Sequence, residues 1–499
     1  MKTSGDARPV SDATILDVLI IGAGFSGVCM GVKLLEAGIT EFVILEKETE
    51  IGGTWHKNSY PGAACDVPSH FYCFSFAPNP DWSRVYSPQP EIQAYIKKCA
   101  DDFGVTPYIK FDSGTEQVVF NHQNQLWSVR LPDGREYSAC HLVIGSGGLN
   151  IPSVPEFTGL KGFKGPVFHT AQWRHDVDLK DKKIVVIGSA ASAIQAVPKL
   201  AEIAENVIMF QRTPNYISLR MDRAYTQAEK DAFRRSSLRL KMLRWKIFWR
   251  FDLLRAPLFK RKSWMRSRAV RFIDDNMKTV IKDPELQEKL TPSYELGCKR
   301  ILISDDFYPA LTRDNVSVVT EGIQEITRKT VVDEAGIHHE ADAIVLTTGF
   351  DLQKQMTSID LIGRDGHSLR KLWANEASAY HGAMVPGFPN TYFVTGPNTG
   401  VGSTSVVFMI EMQIKFIMKC IKEAGRTKLI EPTDEATISY DHTMQKDLQQ
   451  TVWATDCKSW YKDETGRIGT LYPHTARRFK SEKRQLNKAD FNIILKAMS

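Results

Sequence analysis

The chain has 499 residues, of which 42% are hydrophobic and 24% charged, and it carries a formal net charge of +6. That length exceeds what one hydrophobic core supports, so two or three domains are expected. The composition is that of an ordinary soluble globular protein, and so modest a net charge excludes a polyelectrolyte built for nucleic acid.

Residues 15 to 21, Ile-Leu-Asp-Val-Leu-Ile-Ile, read as a strand buried on both faces of a parallel sheet. The run enters Gly22-Ala23-Gly24-Phe25-Ser26-Gly27 directly. In such a turn the first Gly makes the bend, the second admits a pyrophosphate to the backbone, and the third lets the next helix pack on the strand. That helix, predicted from Ser26 to Ala37, points its positive end at the phosphates. A second strand, Phe42 to Leu45, ends in Glu46, 24 residues after Gly22. A carboxylate there accepts from ribose hydroxyls and repels a 2′-phosphate, which argues for FAD or NAD and against NADP. The apolar stretch from Val18 to Val32 is read as this strand and turn, not as a signal peptide, because glycines interrupt it and Asp17 precedes it. No stretch reaches the roughly 20 apolar residues of a membrane-spanning helix.

Gly52-Gly53-Thr54-Trp55 follows, then Tyr60-Pro61-Gly62-Ala63-Ala64-Cys65-Asp66, Tyr72, and an aromatic stretch through Trp82 and Tyr86. Pro90 suits the first turn of a helix running to about Phe103. Asp112 to Arg130 reads as two short strands. Ala139 to Gly147 is an apolar run ending in small residues, as expected where the chain passes close to a cofactor between domains.

A second turn comes after the strand Ile184 to Ile187, as Gly188-Ser189-Ala190-Ala191-Ser192-Ala193. Alanine replaces glycine at the second and third key positions, and Ala190 adds a methyl where the pyrophosphate approaches, so looser or displaced binding is expected. The next strand, Asn206 to Phe210, leads to Gln211-Arg212-Thr213. Arg212 lies 24 residues after Gly188, the interval that separates Glu46 from Gly22. A guanidinium there pairs with a 2′-phosphate, which makes the second ligand NADPH. Ala341 to Gly349 then echoes Ala139 to Gly147 position by position. The predicted organisation is a flavin domain of residues 1–150 and 350–499 with a nicotinamide domain, 151–349, inserted.

Between the two turns lies Phe163-Lys164-Gly165-Pro166-Val167-Phe168-His169-Thr170-Ala171-Gln172-Trp173. This F-x-G-x(3)-H-x(3)-W spacing resembles the fingerprint of the flavin-dependent Baeyer–Villiger monooxygenases, and the resemblance extends from about Ile15 to Phe479. It implies an α/β fold of two Rossmann-like, three-layer ββα dinucleotide-binding domains that hold FAD and NADPH. It also implies oxygen insertion beside a ketone carbonyl through a flavin C4a-peroxide, giving an ester or lactone, with thioethers as side substrates. Asp66 is then placed near the flavin ring beside a catalytic arginine, Thr54 and Trp55 belong to the flavin-binding stretch, and Thr115 touches the adenine side by its backbone. Gly297-Cys298-Lys299-Arg300 resembles the family's G-x-K-R. By that resemblance Arg300 stabilises the peroxide and the ketone adduct, and Lys299 assists Arg212. His169 and Trp173 are expected to govern domain movement, and Trp460 to contact the nicotinamide ribose. Arg174 departs from the Pro or Asp usual after the fingerprint Trp and is found in N- and S-oxygenating relatives, which keeps that activity as the alternative.

Two other classes are weighed. A disulfide reductase needs a redox cysteine pair near the flavin; Cys29, Cys65, Cys73, Cys99, Cys140, Cys298, Cys420 and Cys457 contain no C-x-x-C pair. They are expected to be reduced thiols of a cytoplasmic protein with no metal site. A non-enzymatic flavoprotein would act through the helical insert at about 222–292, where Arg234 to Arg271 contains fourteen Lys or Arg against one acid, Asp252. Leu238, Met242, Trp245 and Trp249 fall on one helical face there. The preferred expectation is that this stripe packs on the nicotinamide domain, and the alternative is contact with anionic lipid. A helix is also expected from Ser405 to Lys422.

Overall fold

The computed structural model describes residues 15–496 except 375, 401, 458 and 464. The β-branched and aliphatic runs do form parallel strands. Ile15–Ile21 sits centrally in the first sheet, flanked by Phe42–Leu45 and Glu136–Ile144. Gln117–Asn121 and Leu126–Arg130 extend it as antiparallel neighbours. Two strands from far along the chain, Asp360–Ile362 and Thr391–Phe393, join this sheet, and Ile109–Lys110 forms its edge beside Phe42–Leu45. The helices Phe25–Glu36 and Val406–Ala424 pack on it, sharing one core with Phe42, Ile44 and Val143.

The second sheet is wholly parallel, in the spatial order Val316–Val319, Asn206–Phe210, Lys183–Ile187, Ala343–Leu346, Val167–His169. Its central strands are buried along nearly their whole length, which is why they read as uninterrupted apolar runs. In both sheets the glycine turn leaves the C-terminal end of a central strand, where α/β folds place their ligands.

Two expectations fail. Three of the four stripe residues of the insert face outward: on the helix Ser237–Arg250, Leu238 is 62%, Met242 53% and Trp245 66% exposed, while Trp249 is half-buried with Arg477 over its ring. The opposite face makes the packing, with Ile247 and Phe248 against the first core beside Phe71 and Phe408, not against the nicotinamide-side sheet. Arg244 anchors that face by donating to the carbonyls of His70 and Cys73. Apolar residues occur on both faces of this helix, so periodicity alone could not choose the buried one. The cysteines depart as well, because Cys298 and Cys457 are joined in a disulfide while Cys29, Cys65, Cys73, Cys99, Cys140 and Cys420 are free and buried. A pair 159 residues apart leaves no spacing signal. Among the described residues no helix is long and apolar enough to cross a membrane.

Candidate active site

The stretch from Tyr60 to Asp66 leaves the first unit and is stitched to the second. The Tyr60 hydroxyl donates to Gln195 Oε1 at 2.8 Å, and Gln195 Nε2 donates to the Ala64 carbonyl at 2.9 Å. Gln195 belongs to the helix Ala193–Ala201 that follows the second glycine turn. Asp66 is thereby held where the two units meet. There Arg300 Nη2 donates to Asp66 Oδ2. The carboxylate raises the guanidinium above its already high ordinary pKa, so Arg300 is a permanent cation.

The segment carrying Arg300 is fixed from its other side. Phe259 and Val452 close over Gly297, and Cys298 is bonded to Cys457. Beyond that link, Tyr461 is buried within electrostatic reach of Arg300 and Asp66, and burial pushes its phenol up to about 12. Its neighbour Trp460 packs against it with the rings tilted, centroids 4.4 Å apart and the indole half in solvent. Arg220 reaches in as well, donating to the Cys65 carbonyl at 2.9 Å and lying over the Tyr86 ring.

At the first turn the fit to a dinucleotide rests on close packing. A Cβ on Gly27 would collide with the Gly22 carbonyl, so the helix can approach the strand only with glycine there. Gly24 and Ser26 complete the turn, with Ser26 buried. Glu46 is buried and accepts the Ala23 N–H at 2.7 Å and the Glu48 N–H at 3.0 Å, so the acid braces the turn it serves. Thr54 Oγ1 donates to the Leu149 carbonyl at 3.4 Å, and Trp55 Nε1 donates to the Tyr72 hydroxyl at 3.2 Å. The buried Thr115 Oγ1 has no partner among the described residues.

At the second turn Ser189 Oγ donates to the Thr213 carbonyl at 3.2 Å, drawing the end of the second strand onto the turn made by Gly188, Ala190, Ser192 and Ala193. Arg212 is exposed, and Lys299 lies 4.8 Å over the Tyr294 ring. Neither makes a hydrogen bond or ion pair with a described residue. Burial, and then Arg212, lower the Lys299 pKa, so the two uncompensated cations act on one another. That donor set fits a 2′-phosphate.

The fingerprint lies on the edge strand of the second sheet. Val167–His169 pairs with Ala343–Leu346, and a Cβ on Gly165 would strike the Asp342 carbonyl. Phe163 is buried with Ile344 and Leu346. His169 Nδ1 accepts the Ala171 N–H at 3.0 Å, its ring edge meets Phe350 at 5.8 Å, and burial pushes its pKa down to about 4. Trp173 packs edge-on against Phe168. These residues brace the crossing between the sheets and are not brought to the Asp66–Arg300 pair. Arg174 turns outward, with Nε donating to exposed Asp176 at 2.7 Å. Gln195, Arg220 and Tyr461 were missed from sequence, since a helical Gln, a loop Arg and an aromatic beside a Trp carry no motif.

Two glycine turns, an acid at one, paired cations at the other and an Arg–Asp pair between them define a two-nucleotide flavoprotein oxidoreductase. A family profile described as "Flavin-binding monooxygenase-like" matches residues 16–457. A Baeyer-Villiger monooxygenase of Streptomyces coelicolor is 40% identical over 482 residues, covering 96% of this chain and 92% of the relative. Among solved structures, a steroid monooxygenase bound to NADP superposes with a TM-score of 0.85 at 29% identity, covering 96% of this chain and all of the other. Cyclohexanone monooxygenase from Rhodococcus sp. Phi1 bound to NADP+ gives 0.86 at 27%, covering 96% and 99%. The chain belongs to the flavin-binding monooxygenase-like family and is an FAD- and NADPH-dependent monooxygenase of the Baeyer–Villiger type.

Proposed function

We propose that this enzyme inserts one atom of O2 beside the carbonyl of a small hydrophobic ketone to give an ester or lactone, with thioethers as secondary substrates. On this reading the flavin unit is 1–150 with 350–499, and the nicotinamide unit is 151–349. The observation that carries the proposal is the Asp66–Arg300 pair held between the two nucleotide turns. Bound FAD, once reduced by NADPH, supplies the oxygen-activating chemistry. Arg300 provides a preorganised cation where negative charge develops on the attacking oxygen and on the ketone oxygen. Asp66 orients that guanidinium. Arg212 and Lys299 select NADPH by its 2′-phosphate, Glu46 faces the flavin nucleotide's ribose, and Trp460 covers the nicotinamide side. His169 and Trp173 act on the relative movement of the units.

The test is product analysis with labelled O2 and NADPH over a panel of ketones, thioethers and amines. Esters carrying one labelled oxygen are expected. Labelled sulfoxides or N-oxides without any ester would replace this reading with the N- or S-oxygenase one.

A second reading concerns the insert, which we infer contacts anionic lipid. Its support is the exposure of Leu238, Met242 and Trp245 among basic residues, the combination that suits a membrane interface. Co-sedimentation with phosphatidylglycerol vesicles at low salt, lost at high salt and in Trp245→Glu, is expected. No binding to such vesicles would remove the reading.

A further inference from the structure

The turn between the insert helices Ser237–Arg250 and Trp264–Val280 packs against the segment that carries Arg300. It starts at Phe251, whose ring meets Phe71 of the first unit at 5.8 Å, and ends at Phe259, which packs on Gly297 and Trp453. Arg255 lies between these anchors. Its guanidinium sits 4.2 Å over the Phe251 ring and makes no hydrogen bond or ion pair with any described residue. It is half-buried, and burial lowers its pKa, with Tyr86, Asp66 and Arg300 among the groups it feels.

The surrounding charges do not balance. Asp66 is the carboxylate at this place, and Arg300 already neutralises it. Arg220 adds a second guanidinium 5.2 Å from the Tyr86 ring, and its Nε is buried without a partner. Arg250 is a further charge acting on Tyr86. The other carboxylates of this region do not reach them: Asp222 pairs with Arg84, Asp305 accepts backbone N–H groups of residues 220–222, and Glu411 pairs with Arg244. Asp252, three residues before Arg255, accepts the Arg477 N–H at 3.3 Å, keeps its other oxygen buried without a hydrogen-bond partner, and forms no ion pair with a described residue. Half-buried cations without counterions are costly unless a ligand supplies the negative charge.

We propose that the ketone substrates, besides the hydrophobic body proposed above, carry an anionic group at one end, a carboxylate in particular, and that Arg255, seconded by Arg220, is the specificity-determining residue that binds it. The proposal rests on the ketone oxygenation proposed above and names the substrate class for that site. A guanidinium presents two parallel donors to a carboxylate, and the Phe251 face holds it in place for them.

The test compares a keto acid with its methyl ester of equal chain length, using full-length holoenzyme and NADPH. For the wild type, kcat/KM for the acid should exceed that for the ester roughly 10- to 100-fold, the factor expected of a charge-assisted hydrogen bond. Added salt should narrow that ratio. Arg255→Leu should bring it to about one, and Arg255→Lys should retain part of it. Equal kcat/KM values for acid and ester in the wild type would overturn charge recognition while leaving ketone oxygenation standing. Slower flavin bleaching by NADPH, or weaker NADPH binding, in Arg255→Leu with the acid preference intact would assign Arg255 to the cofactor and also overturn the proposal. Absence of oxygenated product from both compounds, and from simple ketones, would instead bring down the reading on which it rests.

Discussion

The two nucleotide-binding turns of this protein are built on the same strand, turn, helix and strand, yet they differ where ligand contact is decided. In the first, Gly27 brings helix and strand so close that no side chain fits, and buried Glu46 holds the turn by its own hydrogen bonds. In the second, Ala193 occupies the position of Gly27 and is itself fully buried, so the helix there stands off by a methyl group. The strand-end residue is now Arg212, exposed and uncommitted beside Lys299. A resident cofactor suits the tight, self-braced turn. A substrate-like cofactor that must enter and leave suits the looser one, with affinity concentrated on the 2′-phosphate.

Gly27→Ala should break the first turn outright. The new methyl meets the Gly22 carbonyl, overpacking of this kind costs about 1–3 kcal/mol or more, and the purified protein should lack flavin absorbance. Ala193→Gly, its mirror in the second turn, should change the melting temperature little, since a helical Gly costs at most ~1 kcal/mol. Equal damage from both would erase the distinction.

Arg300→Ala probes the place where the turns converge. Flavin reduction by NADPH should persist, while ester formation falls by a factor on the order of 10², the value of one preorganised donor to a developing oxyanion. Full ester formation in that variant would remove Arg300 from the mechanism.

Arg212→Ala should raise KM for NADPH roughly 10- to 100-fold and leave KM for NADH nearly unchanged, because it removes charge-assisted bonds that only the 2′-phosphate makes. Steady-state kinetics with both nucleotides reads the ratio. The smallest effect is expected from Ala190→Gly, which clears the backbone for the pyrophosphate and should tighten NADPH binding by roughly two- to fivefold. Weaker binding in that variant would mean that the methyl group packs on the nucleotide.

Much of this architecture was legible because its signals are local. Residues 15–21, 42–45 and 206–210 emerge as strands at the expected bounds, and the strand that leads into the second glycine turn begins one residue earlier, at Lys183. The helix predicted from Ser26 begins at Phe25, and the one predicted from Ser405 to Lys422 spans Val406–Ala424. Hydrophobic period and glycine spacing act within a few residues, and backbone sterics make them reliable. The insert was misread for the converse reason: its helix was correctly foreseen, but which apolar face is buried depends on Phe71 and Phe408, which lie far away in the chain.

By itself the sequence determined the two parallel-sheet units, their glycine turns with Glu46 at one and Arg212 at the other, and the motifs that contain Asp66 and Arg300. Only the tertiary structure decided that these two side chains meet across 234 residues, that Gln195 stitches one unit to the other, and that Cys298 bonds Cys457. It also decided that Arg255 lies over the Phe251 ring within electrostatic reach of Asp66 and Arg300, with no ion pair to a described residue. Strands and turns are specified by neighbours along the chain, whereas charge balance and side-chain contact depend on which distant segments packing brings together.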